Sequence, residues 1–167
     1  MYVPFESLPD DARIWIYQSD KKFSDQEVQK ADEILKGFIE QWAAHGNPLK
    51  ASFKIEHNQF LVIGVDESFA GVSGCSIDAS VAATRQLENE FGVNLLDRSK
   101  VAFLGDTNEV FVVALNDLKQ THHNNTWGAA TTTFNNLVSN KQEFEKNWKV
   151  PASQTWLKRY LTKMTVS

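Results

Sequence analysis

The stretch LKASFKIEHNQFLVIGV, residues 49–65, decides how the fold is read. Leu49 to Glu56 and Gln59 to Val65 are two runs with strand character, and His57-Asn58 between them is a tight turn in which Asn tolerates positive φ. A β-hairpin is predicted here. With Glu56 opposite Gln59, Phe53 pairs with Val62 and Ile55 with Phe60, and these residues face the covering helices. The other face then carries Leu61, Ile63 and Val65 beside Ser52 and Lys54, with Trp15 and Tyr17 joining from a preceding strand. Such a face is too apolar to be left in water. Cover is expected from Phe134, Leu137, Phe144, Trp148, Trp156 and Tyr160 in the C-terminal segment.

Upstream, ARIWIYQ (residues 12–18) alternates β-branched and aromatic residues and reads as the first strand. A helix follows from Ser24, where Ser24 and Glu27 form a capping box and Phe23 staples onto Val28. Its apolar face is Val28, Ala31, Ile34, Leu35, Phe38 and Trp42. Gly46, followed by Asn47-Pro48, is expected to end it with a left-handed C-cap, leaving His45 in the last turn. Downstream of the hairpin, a second helix carries Ile77, Val81, Thr84, Leu87 and Phe91 on one face and is capped by Gly92. Val101 to Leu104 and Glu109 to Leu115 are strands around the turn at residues 105–108.

The order is βαββαββ, whose first six elements match a ferredoxin-like α+β core with one extra hairpin strand, spanning residues 1–115. Residues 116–140, rich in Thr, His and Asn, read as loop with short helices. Lys141 to Lys149 and Ser153 to Leu161 read as two short helices parted by Val150-Pro151, with Ser153 as an N-cap. Residues 116–167 are thus expected to be a helical extension packed on the core, within a single domain over 1–167.

Composition excludes several functions. A hydrophobic fraction of 42% and a charged fraction of 23% are those of a globular domain, and the net charge of −4 opposes binding to nucleic acid or anionic lipid. A modest excess of cations marks the tail, where Lys141, Lys146, Lys149, Lys158, Arg159 and Lys163 outnumber Glu143 and Glu145. No apolar run approaches a membrane span, and the N-terminus lacks the basic start of a secretion signal, so a cytoplasmic protein is expected. The single cysteine, Cys75, cannot form an internal disulfide or by itself anchor a cysteine-based metal site. No metal or cofactor is expected, and adjacent His122 and His123 should point in different directions.

Chemistry concentrates in DESFAGVSGCSID, residues 66–78, where a strand leads into a helix. Free N–H groups at a helix start attract anions and favour a thiolate, which makes Ser73, Gly74, Cys75, Ser76 and Asp78 the candidate ligand-binding residues. The leading expectation is a noncatalytic module that binds a small ligand or a protein through this loop or the second sheet face. The alternative is a small thiol enzyme acting on acyl or thioester substrates, with Cys75 as nucleophile and His45, or else His57, as base. A structural account competes with both: Ser73 or Cys75 caps the helix and the glycines permit close packing. None of the eight glycines opens a phosphate-binding G-x-x-x-x-G-K-[ST] loop, and GVSGC at 71–75 misses the nucleophile elbow G-x-S-x-G by its last residue.

WIYQS (15–19), QWAAHG (41–46), SGCSID (73–78), VAF (101–103) and NWKVP (147–151), in this order, resemble a family of short uncharacterised bacterial proteins. Some members of that family carry an automatic label as an ABC transporter ATPase. The resemblance spans most of the chain and implies no established activity and no catalytic residues.

Overall fold

The computed structural model describes residues 1–161. The chain gathers into two compact units, one of Met1–Leu96 with Asn136–Glu145, the other of Asp97–Asn135 with the chain from Lys146 onward. In the first unit, β1 (Arg13–Gln18) leads to α1 (Asp25–Gln41), two-residue strands β2 (Ala43–Ala44) and β3 (Asn47–Pro48), the hairpin β4 (Lys50–Glu56) and β5 (Phe60–Asp66), and α2 (Gly74–Phe91). The second holds β6 (Lys100–Leu104), β7 (Val110–Ala114), α3 (Leu118–His123), β8 (Thr132–Phe134), β9 (Lys149–Pro151) and α5 (Lys158–Leu161). Between β8 and β9 the chain returns to the first unit and starts α4 (Lys141–Asn147) there.

The class is mixed α+β, but the ferredoxin-like sheet does not form. That arrangement needs β6 to join the first three long strands, whereas the sheets are three-stranded, β1-β5-β4, and four-stranded, β7-β6-β8-β9. β6 instead pairs with β7 and β8, so residues 97–115 lie outside the first unit and not in a core over 1–115. Strand β8 arises in a Thr-rich segment read from sequence as loop; there the β-branched Thr133 is buried and its Oγ1 donates to Ala102 O at 2.7 Å.

Local signals in the first unit are largely realised. Ser24 and Glu27 make the capping box at α1, and Ala31, Leu35 and Ile39 are its most buried residues. Gly92 caps α2 at φ +63. Gly46 has the expected positive φ, but for another reason: α1 ends at Gln41, and His45 and Gly46, both at positive φ, form the two-residue turn that joins β2 to β3. His45 therefore sits on a hairpin tip.

The β4–β5 hairpin forms one residue out of the expected register. Glu56 pairs with Phe60, leaving Gln59 as an extra residue whose side chain donates to Ser19 O at 3.1 Å. Since side chains alternate along a strand, this single residue exchanges the faces of β5. Leu61, Ile63 and Val65, with Phe53, Trp15 and Tyr17, pack in the core with α1 and α2. Ile14, Val62 and Gly64 fall on the reverse face.

The reverse face is covered chiefly from the N-terminus, not by the whole C-terminal aromatic set. Phe5, which opens a 3-10 turn (Phe5–Ser7), and Leu8, which follows it, approach Gly64 so closely that a Cβ there would lie 2.7 Å from Leu8 Cδ1 and 3.5 Å from Phe5 Cε2. Phe144 adds an edge-to-face contact with Phe5, 5.9 Å between ring centres. Phe134, Trp148, Trp156 and Tyr160 belong to the second unit. Lys141, only 7% exposed, donates from Nζ to Glu6 O at 3.1 Å and Leu8 O at 2.7 Å, pinning the covering turn in place.

Both edges of the first sheet are occupied as well. Val3 N donates to Ala51 O beside β4, and Ile14 N on β1 donates to Ser139 O. Among the described residues no helix is long and apolar enough to cross a membrane. Lys163 of the basic tail lies outside the described residues.

If the Lys141 ammonium holds the covering turn, Lys141→Ala leaves two carbonyls without their charged donor. A loss of roughly 1–3 kcal/mol is expected, read as a lower urea midpoint with an unchanged slope.

Candidate functional site

Segment 66–78 is organised by its own hydrogen bonds. Ser73 is the N-cap of α2: its Oγ accepts from Ser76 N at 3.2 Å, and Ser73 N donates to Ser76 Oγ at 2.6 Å. Ser76 Oγ in turn donates to Ser73 O at 2.8 Å, and Ser76 O accepts the buried Trp42 Nε1–H at 2.9 Å. Both serine hydroxyls are thereby engaged in holding the helix start, and the Ser76 carbonyl ties it to the end of α1. Gly74 and Asp78 are exposed. Of the candidate residues, the fold joins Ser73 to Ser76 and leaves the others to solvent.

Cys75 is exposed, and its thiol makes no hydrogen bond among the described residues. His45 is exposed on the β2–β3 turn, and no hydrogen bond joins it to Cys75. His57 is half-buried in the β4–β5 turn at φ +53, against Phe60.

The carboxylate that opens the segment has a defined environment. Asp66 is buried, and its Oδ1 accepts from Ser68 Oγ at 2.6 Å and Ser68 N at 3.0 Å. The Ser68 hydroxyl is the chief reason its pKa lies below the ordinary aspartate value; burial opposes the shift, and the Ser68 amide and the Lys50 ammonium add to it. Glu67 Oε2 accepts from Val72 N at 3.1 Å, closing the rest of the loop on itself.

A second constellation, not singled out by sequence, lies in the second unit. A cavity of about 580 Å³ opens between the α3 region and α5, lined by Lys119, His122 and His123 from α3 and by Arg159 and Tyr160 from α5, with Asn116 and Gln120 at its side. The described lining contains no carboxylate. Although adjacent, His122 and His123 both border this space, because a step of one residue on a helix is about 100° and a broad concavity spans it.

Its wall is braced by Trp127, which is buried and stacked on Phe103 with ring centres 5.1 Å apart. Trp127 Nε1 donates to Leu118 O and Thr121 Oγ1, fixing the indole to α3. On the cavity side the rings of His122 and Tyr160 lie against Trp127 at 4.8 and 6.1 Å. His122 Nδ1 is 3.0 Å from Trp127 O, so Nδ1 carries the proton, while Nε2 is buried without a hydrogen-bond partner. Arg159 sits over the Tyr160 ring at 5.4 Å. The sequence signal for this site is thin: two cations separated by forty residues, and a His pair that reads as loop.

Two expectations separate structure from chemistry in segment 66–78. Ser73→Ala should cost about 1 kcal/mol of stability through the lost cap, whereas Cys75→Ser should stay within about 0.5 kcal/mol of the parent; denaturant midpoints decide both. Asp66, with its lowered pKa, contributes stability that is full above the unfolded value near 3.9 and is lost as pH falls through the folded value. Asp66→Asn should therefore be less stable at neutral pH and show a shallower fall below about pH 4, measured by urea denaturation at each pH.

No protein-family model matches the chain, and neither a curated protein nor a solved structure matches it.

Proposed function

We propose that this chain is a noncatalytic binding module for a small ligand, and that its site is the cavity of the second unit. The observation that carries this reading is the convergence of Lys119, His122, His123 and Arg159 on one space of about 580 Å³ backed by a buried tryptophan. That volume lies within the range of small-molecule sites, and a rigid aromatic wall with a few converging polar groups is their usual construction.

The binding residues expected at 73–78 have less in their favour as a site, because the Ser73 and Ser76 hydroxyls are engaged in the cap. A thiol enzyme built on Cys75 would need a base at hydrogen-bonding distance, and the described residues place none there. The resemblance to short bacterial proteins is compatible with a binding role and adds no residue to it.

A thermal-denaturation screen of the full chain against soluble metabolites tests the proposal. A true ligand at a hundredfold excess over its Kd stabilises by about 2.7 kcal/mol, a shift of several degrees. Gln120→Trp, which fills the cavity from an exposed position, should abolish the shift and leave the unliganded melting temperature unchanged. No stabilising compound, or equal stabilisation of parent and variant, would sink the assignment of the site.

A further inference from the structure

We infer that two copies of this chain associate reversibly through the outer edge of β7, the two strands joining antiparallel about a two-fold axis at Val112. The inference does not rest on the cavity. β7 ends the four-stranded sheet, with β6 on one side and no strand on the other. At the two ends of the β6–β7 ladder Leu115 N donates to Ser99 O and Gly105 N to Glu109 O. Hydrogen-bonded pairs alternate between those ends, so Phe111 and Val113 bond to β6, while the N–H and C=O of Val110 and Val112 and the N–H of Ala114 point away from it. Among the described residues no hydrogen bond reaches these outward groups.

The other sheet edges are each guarded. Val3 N donates to Ala51 O beside β4, Ser139 O accepts from Ile14 N beside β1, and β9 is a three-residue edge that begins with Lys149 and ends with Pro151. β7 has none of these devices: it reads VFVVA, without charge or proline. Its core-facing side is satisfied, with Phe111 stacked on Phe103 at 5.4 Å between ring centres and Val113 buried. What stays open is the backbone of a firmly held strand, a template for one more strand.

A second copy fits that template. With the axis at Val112, each Val112 amide donates to the other copy's Val112 carbonyl, and each Ala114 amide donates to the Val110 carbonyl across from it. A shift of two residues either way sets one of these groups opposite Asn108 or Asn116, beyond the ends of the strand. The side chains brought face to face are Val110, Val112 and Ala114, so no like charges meet across the pairing. A standard interface draws roughly 20–30 residues from each partner, and the five of β7 are fewer, which makes the association weak and concentration-dependent.

The test is sedimentation velocity of the full chain from low micromolar to submillimolar concentration, with hydrogen exchange read at single amides. The sedimentation coefficient should rise with concentration, and the amides of Val112 and Ala114 should become protected in step with it. Val112→Pro removes an outward amide and no bond to β6, so it should weaken association roughly tenfold or more while keeping the parent's circular dichroism. Val112→Thr, which keeps the amide, should associate like the parent. In a sample mixing isotope-labelled and unlabelled chains, the pairing places Phe111 Hα against Val113 Hα of the other copy, and a nuclear Overhauser contact between them is expected.

A chain that stays monomeric throughout overturns the inference. So does a dimer that a folded Val112→Pro leaves unchanged, because another surface then makes it. Protection of the Val112 and Ala114 amides that does not vary with concentration would mean that the edge is closed within one chain, and this too sinks the second copy. Should Val112→Pro fail to fold, the parent alone decides: a dimer without the Phe111–Val113 contact between chains does not use β7.

Discussion

One buried ammonium organises the first unit. A lysine that is nearly inaccessible must find acceptors for its charge, and Lys141 finds the carbonyls of Glu6, inside the N-terminal 3-10 turn, and of Leu8, just after it. Those bonds set the turn against the reverse face of the sheet, where Leu8 and Phe5 fill the space that the absent side chain of Gly64 leaves open. Glycine weakens a strand interior in isolation, yet at the centre of β5 it is the residue that admits another chain segment to van der Waals contact. The same segment that brings Lys141 also closes the β1 edge, through Ser139 O and the amide of Lys141 itself. Cover and edge protection are thus linked through residues more than a hundred positions apart in sequence.

This linkage explains which parts of the fold were legible beforehand. Signals confined to a few residues were read correctly: the Ser24–Glu27 box, the Gly92 cap, and the turn at residues 105–108, where Asn108 adopts positive φ. Gly46 shows the limit of such reading. Its positive φ followed from its chemistry, but a helix C-cap and a two-residue hairpin turn make the same demand, and pairing of Ala44 with Asn47 decides between them. The hairpin register failed for a similar reason: the sequence does not say whether Gln59 is the first residue of a strand or an extra one, and that choice reverses an entire face. The ferredoxin-like expectation failed at longer range still, because the pairing of β6 with β8 depends on a three-residue strand of threonines and phenylalanine lying beyond an intervening helix.

The candidate site divides along the same lines. Segment 66–78 drew notice because small polar residues before a helix are shared by anion sites and by ordinary N-caps. What separates the two is where the hydroxyls point, and in Ser73 and Ser76 they point at one another's backbone. The second-unit cavity had the opposite problem: its cations are contributed by separate helices, and His122 is oriented there only by the hydrogen bond that its Nδ1–H donates to Trp127 O. No local pattern announces such an arrangement.

Trp127 is the residue on which that arrangement depends. Its indole N–H bonds to Leu118 O and Thr121 Oγ1 fix the ring to α3, its face stacks on Phe103 in the core of the second unit, and its own carbonyl orients His122. Core packing and the cavity wall are therefore parts of one structure.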